Sequence, residues 1–309
     1  MSLPFFPPLT EKIENEITRS AGVDLSVLRL DSMHQLVNGN KWFKLKYNLR
    51  EAHQQNYSTV LTFGGAYSNH IFATAAAGNL FGFRTIGVIR GHESLPLNPT
   101  LSFAVQQGMQ LVYLNRESYR NKHSIELHGE LKQAFGDLFI IPEGGSNLNG
   151  VRGCMEIVGY ADAFDTICLA CGTGTTLAGI VLSLNPEQRV IGFPVLKNAE
   201  FLAQEIHNLI QKYLDSGLPA PSYSPAAWEL IYDYHFGGYA KVNDHLLMFT
   251  QQFQNSHHIQ LDYVYTAKIF YGVMNLLQQG VFPRGDRILL LHTGGLQGNI
   301  GMEQRLKGG

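Results

Sequence analysis

Short apolar runs recur along the chain and alternate with longer stretches whose apolar residues return every three or four positions. The runs at Val27–Leu30, Thr59–Phe63, Thr85–Ile89, Gln110–Leu114, Leu138–Ile141, Thr166–Ala170, Val190–Phe193 and Ile288–Leu291 predict strands. The stretches from Lys41 through Ala52, Ser68–Leu80, Pro99–Gln107, His123–Phe135, about Asn149–Tyr160, Thr175–Leu184, 199–213, Asp244–Gln254 and Val264–Gln278 predict helices. Residues 1–20 read as a helix-like start of mixed charge, and Ser216–Pro225 as a Pro- and Ser-rich surface loop. Strands alternating with helices are the mark of βαβ units. The expected class is therefore α/β: open, mostly parallel twisted sheets with helices on both faces. A smaller domain is expected at 48–160, with 1–47 and 161–309 joining in a larger one. Four strand ends run into glycine: Gly64-Gly65, Gly144-Gly145, Gly172-Thr173-Gly174 and Gly294-Gly295. In open α/β sheets, ligands bind at such ends.

A chain of 309 residues fits one large or two medium domains. Its net charge of -2 gives no basic field for nucleic acid or for an acidic membrane. Met1–Leu9 carries three prolines and no basic residue, so it does not read as a signal peptide. Thr166–Pro186 is uncharged and long enough to span a membrane. Cys-Gly-Thr-Gly-Thr-Thr breaks its middle, so a buried strand, a loop and a helix are expected there instead. Cys154, Cys168 and Cys171 cannot all pair, which points to a reducing cytoplasm. Cys168 and Cys171 lack a second matching pair, so no metal site is expected.

Asn38-Gly39-Asn40-Lys41-Trp42-Phe43-Lys44 sets a lysine directly after a small turn. A desolvated lysine is neutral and nucleophilic, able to bond a carbonyl cofactor; the other reading of Lys41, Lys44 and Lys46 is a solvated helix face. Cys171 to Gly179 follows a strand and opens a helix. Gly172, Thr173, Gly174, Thr175 and Thr176 there form either an anion cradle or a plain tight turn. Ile180 stands where a Walker loop needs lysine, and Leu177 where a dinucleotide fingerprint needs glycine. No arginine or lysine is close in sequence, which favours a phosphate monoester held by backbone amides. Gly64 to His70 again follows a strand. Ser68 reads as an ordinary N-cap or, with Asn69 and the free amides, as a carboxylate site. His70 joins that site only if the first turn is tight; otherwise it is a core histidine. Tyr265 is an acid, base or donor, or simply packs. His292-Thr293-Gly294-Gly295 offers a neutral hydroxyl at the end of the last strand.

Taken together and in order, Gly39-Asn40-Lys41, Gly64-Gly65, Ser68-Asn69-His70, Thr173-Gly174-Thr175-Thr176-x-Ala178-Gly179, Val264-Tyr265-Thr266-x-Lys268 and His292-x-Gly294-Gly295 resemble the 1-aminocyclopropane-1-carboxylate deaminase / D-cysteine desulfhydrase family. The likeness runs along nearly the whole chain. It implies pyridoxal phosphate as cofactor and a tryptophan synthase β-subunit-like fold. The larger domain would anchor the cofactor and the smaller one close over the substrate. Lys41 resembles the lysine that bonds the cofactor aldehyde. Asn69 matches the residue at the cofactor's phenolic oxygen, Gly172–Thr176 the phosphate loop, and Thr293 a hydroxyl near the pyridine nitrogen. Ser68 matches a serine at the substrate carboxylate, with Tyr67, Asn69, His70 and Thr266 lining the same pocket and Tyr265 over the substrate. The family also implies a homodimer acting on a small amino acid, and the cysteine usage a cytoplasmic one.

The departures from the family pattern bear on the substrate. Asn38 replaces a glycine, Phe43 an arginine, Tyr67 a glutamine, and Ile71-Phe72 a Thr-Arg pair. Thr266 stands where the deaminases carry glutamate, as in desulfhydrases, and Phe236 falls where a second tyrosine is used for ring opening. The expected activity is β-elimination of the D-cysteine desulfhydrase kind, giving a 2-oxo acid and ammonia, with Lys41, Ser68 and Tyr265 catalytic. The alternatives are a cyclopropane-amino-acid deaminase and a non-catalytic cofactor-binding protein. A nucleotide-dependent oxidoreductase would need a glycine fingerprint that the chain lacks.

Overall fold

The computed structural model describes residues 6–219 and 226–307. Of the Ser216–Pro225 loop, residues 220–225 lie outside the described residues, as do residues 1–5 of the N-terminus. The chain begins with β1 (Leu9–Ile13), α1 (Glu16–Ala21) and β2 (Asp24–Arg29), then enters α2 (Gly39–Gln54). Next come β3 (Thr59–Gly64), α3 (Asn69–Phe81), β4 (Arg84–Arg90), α4 (Pro99–Gln106), β5 (Met109–Leu114), α5 (Arg116–Arg120), α6 (Ile125–Phe135) and β6 (Phe139–Ile141). Helix α7 (Leu148–Met155) leads into β7 (Thr166–Cys171), α8 (Thr175–Ser183), β8 (Arg189–Pro194), α9 (Phe201–Asp215) and β9 (Ala227–Leu230). The last elements are α10 (Asp244–His257), α11 (Thr266–Gln278), β10 (Arg287–His292) and α12 (Gly298–Lys307).

The strands form two sheets, ordered β1-β2-β10-β7-β8-β9 and β5-β4-β3-β6. All pairings are parallel except β1 with β2. The expected α/β class with two mostly parallel sheets is what the chain adopts. Both faces of the larger sheet are covered. Ile167 and Leu169 of β7, with Leu289 and Leu291 of β10, enter one apolar cluster. Cys168 and Ala170, with Ile288 and Leu290, enter the other. Alternate residues thus bury on opposite faces, each large aliphatic side chain contributing about 1.5–3 kcal/mol. The same alternation separates Cys168 from Cys171, which lie in different clusters. All three cysteines are free and buried. Among the described residues no helix is long and apolar enough to cross a membrane, and no group of three His, Cys, Asp or Glu is placed to hold a metal.

The start of the chain departs from the helix-like expectation. Leu9–Ile13 is an edge strand paired antiparallel to β2, and helix is confined to Glu16–Ala21. Edge strands keep charges on the solvent side, and the mixed-charge pattern there reflects that. Asn15 and Thr18 form a capping box, and Gly22 at φ 68 stops the helix. The sequence pattern did not announce β9, a short half-exposed strand at the sheet edge, or α12, whose polar, glycine-containing sequence shows no apolar stripe.

Three helices cross closely enough to bring distant sequence together. Glycines are required at their contacts. A Cβ on Gly153 of α7 would lie 1.7 Å from the Phe43 carbonyl oxygen of α2, and one on Gly179 of α8 would lie 2.6 Å from Cys154. Asn48 of α2 and Asn147, the N-cap of α7, exchange amide hydrogen bonds at 3.2 and 2.7 Å. This stack sets the N-terminus of α2 beside that of α8.

Candidate active site

Helix α2 starts at Gly39, whose φ of +62 and contact with the Thr293 carbonyl leave no room for a side chain. The Asn40 amide N–H donates to that same carbonyl at 3.3 Å. The Asn40 side chain donates to Thr176 Oγ1 at 3.0 Å. The residue next to Lys41 is therefore tied to both the Thr293 turn and the Gly172–Thr176 turn. Lys41 itself is half-buried. Burial, helped by the neighbouring Lys44 charge, pulls its amine down to about 7 from the ordinary 10.5, with Cys154 and Asp262 opposing.

Lys44, one turn on, corrects the solvated-face reading. It is buried, its Nζ donates to Thr173 Oγ1 at 3.3 Å, and burial lowers its pKa. The turn is thus not free of lysine, as its sequence neighbours suggested. Lys46 does lie toward the surface, paired with Glu156. Within the turn, Thr173 and Thr175 hydroxyls are 2.9 Å apart, and Thr175 donates to Ser146 Oγ at 2.8 Å. Gly174 has φ +73 and no side chain caps the start of α8. That start keeps its orphan N–H groups and partial positive charge.

On the smaller sheet, Ser68 caps α3. Its Oγ accepts from the His70 and Ile71 amides at 3.2 and 3.3 Å. Both acceptor sites are used locally, so its own O–H proton remains to donate. Asn69 Oδ1 accepts from Gln297 at 2.7 Å, and its Nδ2 lies so close to Gly295 that a Cβ there would sit 2.6 Å away. This joins the start of α3 to the end of β10. His70 is buried, with Nε2 2.9 Å from Thr62 Oγ1 and Nδ1 buried without a partner. Burial and the charges of Lys41 and Lys44 hold its pKa well below the usual range. Tyr67 is 51% exposed and packs its ring edge over Gly301 of α12.

The start of α11 is fixed by Asp262, whose carboxylate accepts from the amides of Val264, Tyr265 and Thr266 and from the Thr266 hydroxyl. Thr266 is fully buried, with its hydroxyl committed to Asp262. Tyr265 lies over Gly172, where a Cβ would be 3.3 Å from its ring. Burial, and Tyr239 beside it, raise the Tyr265 hydroxyl well above its usual pKa. Phe236, expected at the place of the second tyrosine, packs against Tyr271 instead, ring centroids 5.1 Å apart. Tyr239 is the aromatic that meets Tyr265, edge on at 6.0 Å. The sequence reading missed Tyr239 because its loop has no periodicity. Thr293 is buried between His292 and Gly294, and His292 is held by Asp31 and the Gln260 carbonyl.

A lysine amine poised near neutrality stands next to a residue bonded to a threonine-lined helix start. An unpartnered buried imidazole nitrogen completes a site suited to a small aldehyde with a phosphate tail. The fold and this site are those of a pyridoxal-phosphate enzyme. The family described as "Pyridoxal-phosphate dependent enzyme" matches residues 14–294, and the chain belongs to it; pyridoxal phosphate is its cofactor. The chain is 31% identical over 302 residues to the bifunctional D-cysteine desulfhydrase/1-aminocyclopropane-1-carboxylate deaminase of Arabidopsis thaliana, covering 90% of this chain and 73% of that one. It is 27% identical over 289 residues to the D-cysteine desulfhydrase of Yersinia enterocolitica, covering 89% and 87%. A solved structure of an ACC deaminase homologue superposes with TM-score 0.85 at 30% identity, over 99% of this chain and 95% of the other.

Proposed function

We propose that this enzyme eliminates a β-substituent from a small amino acid in the manner named for the D-cysteine desulfhydrases. With D-cysteine and water, the products would be pyruvate, hydrogen sulfide and ammonia. The observation that carries this reading is the state of position 266. Where the resemblance implies glutamate for a deaminase, the residue is a buried threonine bonded to Asp262. Asp262 itself is saturated by four donors, so its carboxylate is not left to take the part of that glutamate beside Tyr265.

Bound pyridoxal phosphate supplies an electron sink for the pair left when the α-proton departs. The protein supplies the rest. The Gly172–Thr176 turn, the α8 start and Lys44 hold the phosphate. Asn69 Nδ2 is free to donate to the ring oxygen, and Thr293 offers a neutral hydroxyl toward the ring nitrogen. Lys41, with its amine drawn down to about 7, takes the α-proton at Nζ near neutral pH. The Ser68 hydroxyl and the first amides of α3 bind the substrate carboxylate, with Tyr67 and His70 at its edges. Tyr265, kept protonated by burial, hands a proton to the leaving group, and Tyr239 relays to it. Residues 48–160 close over the substrate, and 1–47 with 161–309 anchor the cofactor. Three buried free thiols fit a cytoplasmic enzyme, and the family resemblance supports a homodimer.

A second reading, cyclopropane-amino-acid deaminase, is favoured by Tyr239. The hydroxyl thought missing at Phe236 is present beside Tyr265. Incubation with D-cysteine, L-cysteine and 1-aminocyclopropane-1-carboxylate separates the two. Sulfide with pyruvate supports elimination; 2-oxobutyrate as the main product replaces it with the deaminase. Retained colour without any product identifies a non-catalytic cofactor-binding protein.

A further inference from the structure

Lys268 sits in the first turn of α11 and is 1% exposed. Its amine donates to two backbone carbonyls, His235 at 2.9 Å and Gly238 at 2.7 Å. Both belong to the loop between β9 and α10. That loop holds Phe236, Gly237, Gly238 and Ala240 at positive φ, from 52° to 115°. Two of the four are not glycine, so the conformation is one the chain does not favour by itself. Its internal bonds are short-range: Gly237 N–H to His235 Nδ1, Gly238 N–H to the His235 carbonyl and Lys241 N–H to the Gly238 carbonyl. Lys268 binds the same two carbonyls. Burying a lysine costs more than burying a methionine of similar volume, so the residue must return something specific.

The loop carries Tyr239, and α11 carries Tyr265 at its N-cap. We propose that Lys268 is a positioning residue. From the first turn of α11 it fixes the 235–240 loop so that the Tyr239 hydroxyl meets Tyr265. One helix start then orients both tyrosines, one directly and the other through two carbonyls. Burial pulls the Lys268 amine down to about 8, opposed by Asp262. Two N–H donors remain in either protonation state, so the hold persists across neutral pH. The inference rests on the reading of Tyr265 and Tyr239 as a proton-handling pair.

The test has two arms on the cofactor-loaded enzyme. In hydrogen exchange, Lys268→Met should speed exchange of the Gly238 and Lys241 amides about tenfold or more, leaving β7 and β10 unchanged. In kinetics, Lys268→Met should lower kcat about tenfold when Tyr239 is present, with little change in KM. In a Tyr239→Phe background the same change should cost less than about twofold. If Lys268→Met does not fold, Lys268→Gln, whose amide nitrogen sits one bond nearer the backbone and so reaches the two carbonyls less well, takes its place with the same two expectations. Unchanged loop exchange, or equal kcat losses in both backgrounds, overturns the proposal. Should the wild-type enzyme turn over nothing, the functional reading fails, and the exchange arm alone decides whether Lys268 holds the loop.

Discussion

Two turns in this protein follow a parallel strand and open a helix, yet they are built differently. The Gly172–Thr176 turn is interlocked. Its threonines bond to each other, to Ser146, to Lys44 and to Asn40, drawing on α2, α8 and the segment before α7. The Gly64–Asn69 turn is largely self-contained. Ser68 caps its own helix, Asn69 accepts from Gln297, and Tyr67 stands half in solvent. On the proposed function, the difference separates a constant task from a variable one. A phosphate held by the first turn would need the same donors in every turnover, and there the donors are fixed by bonds from several elements. A substrate side chain would differ from one enzyme to another, and Tyr67, proposed to face it, is left with few constraints.

Substitutions on the two sides should therefore fail in different ways. Lys41→Ala should have the largest effect, lowering turnover about a thousandfold or more and removing the visible absorbance of the bound cofactor. A steady-state assay with a visible spectrum checks both, and a variant that keeps both would break the account of the interlocked side. Lys44→Met should weaken pyridoxal phosphate binding about tenfold to a hundredfold, as expected for a lost charge-assisted bond, and leave kcat at saturating cofactor nearly intact. Cofactor titration followed by absorbance reads it; unaltered affinity would return Lys44 to a packing role. Tyr67→Gln should have the smallest effect, moving KM or the preference between D-cysteine and cyclopropane substrate within about tenfold and sparing cofactor affinity. A comparable loss of cofactor binding would erase the contrast between the turns.

Much of this was legible because strand ends, small turns and helix starts leave local marks. The glycines at 64–65, 172–174 and 294–295 fall where the parallel strands end. What escaped depends on contacts between elements. Lys44 looks like any helix lysine until Gly153 lets α7 approach α2 and removes the water around it. Tyr239 lies in a loop of left-handed backbone with no periodicity, and the resemblance set Phe236, three residues away, at the place of the second tyrosine. The edge strand at Leu9–Ile13 escaped because one solvated face mixes charge into its pattern. In each case the deciding term is burial or pairing supplied by a distant segment, which no local window contains.

The central claim is that one amine, at position 41, meets the aldehyde of a cofactor whose phosphate rests in the Gly172–Thr176 turn. Borohydride reduction of the purified enzyme, followed by proteolysis and peptide mass spectrometry, tests it directly. The account predicts a single pyridoxyl group on Lys41, lost in the presence of excess substrate amine. A label on Lys44 or Lys268, or none at all, would contradict it.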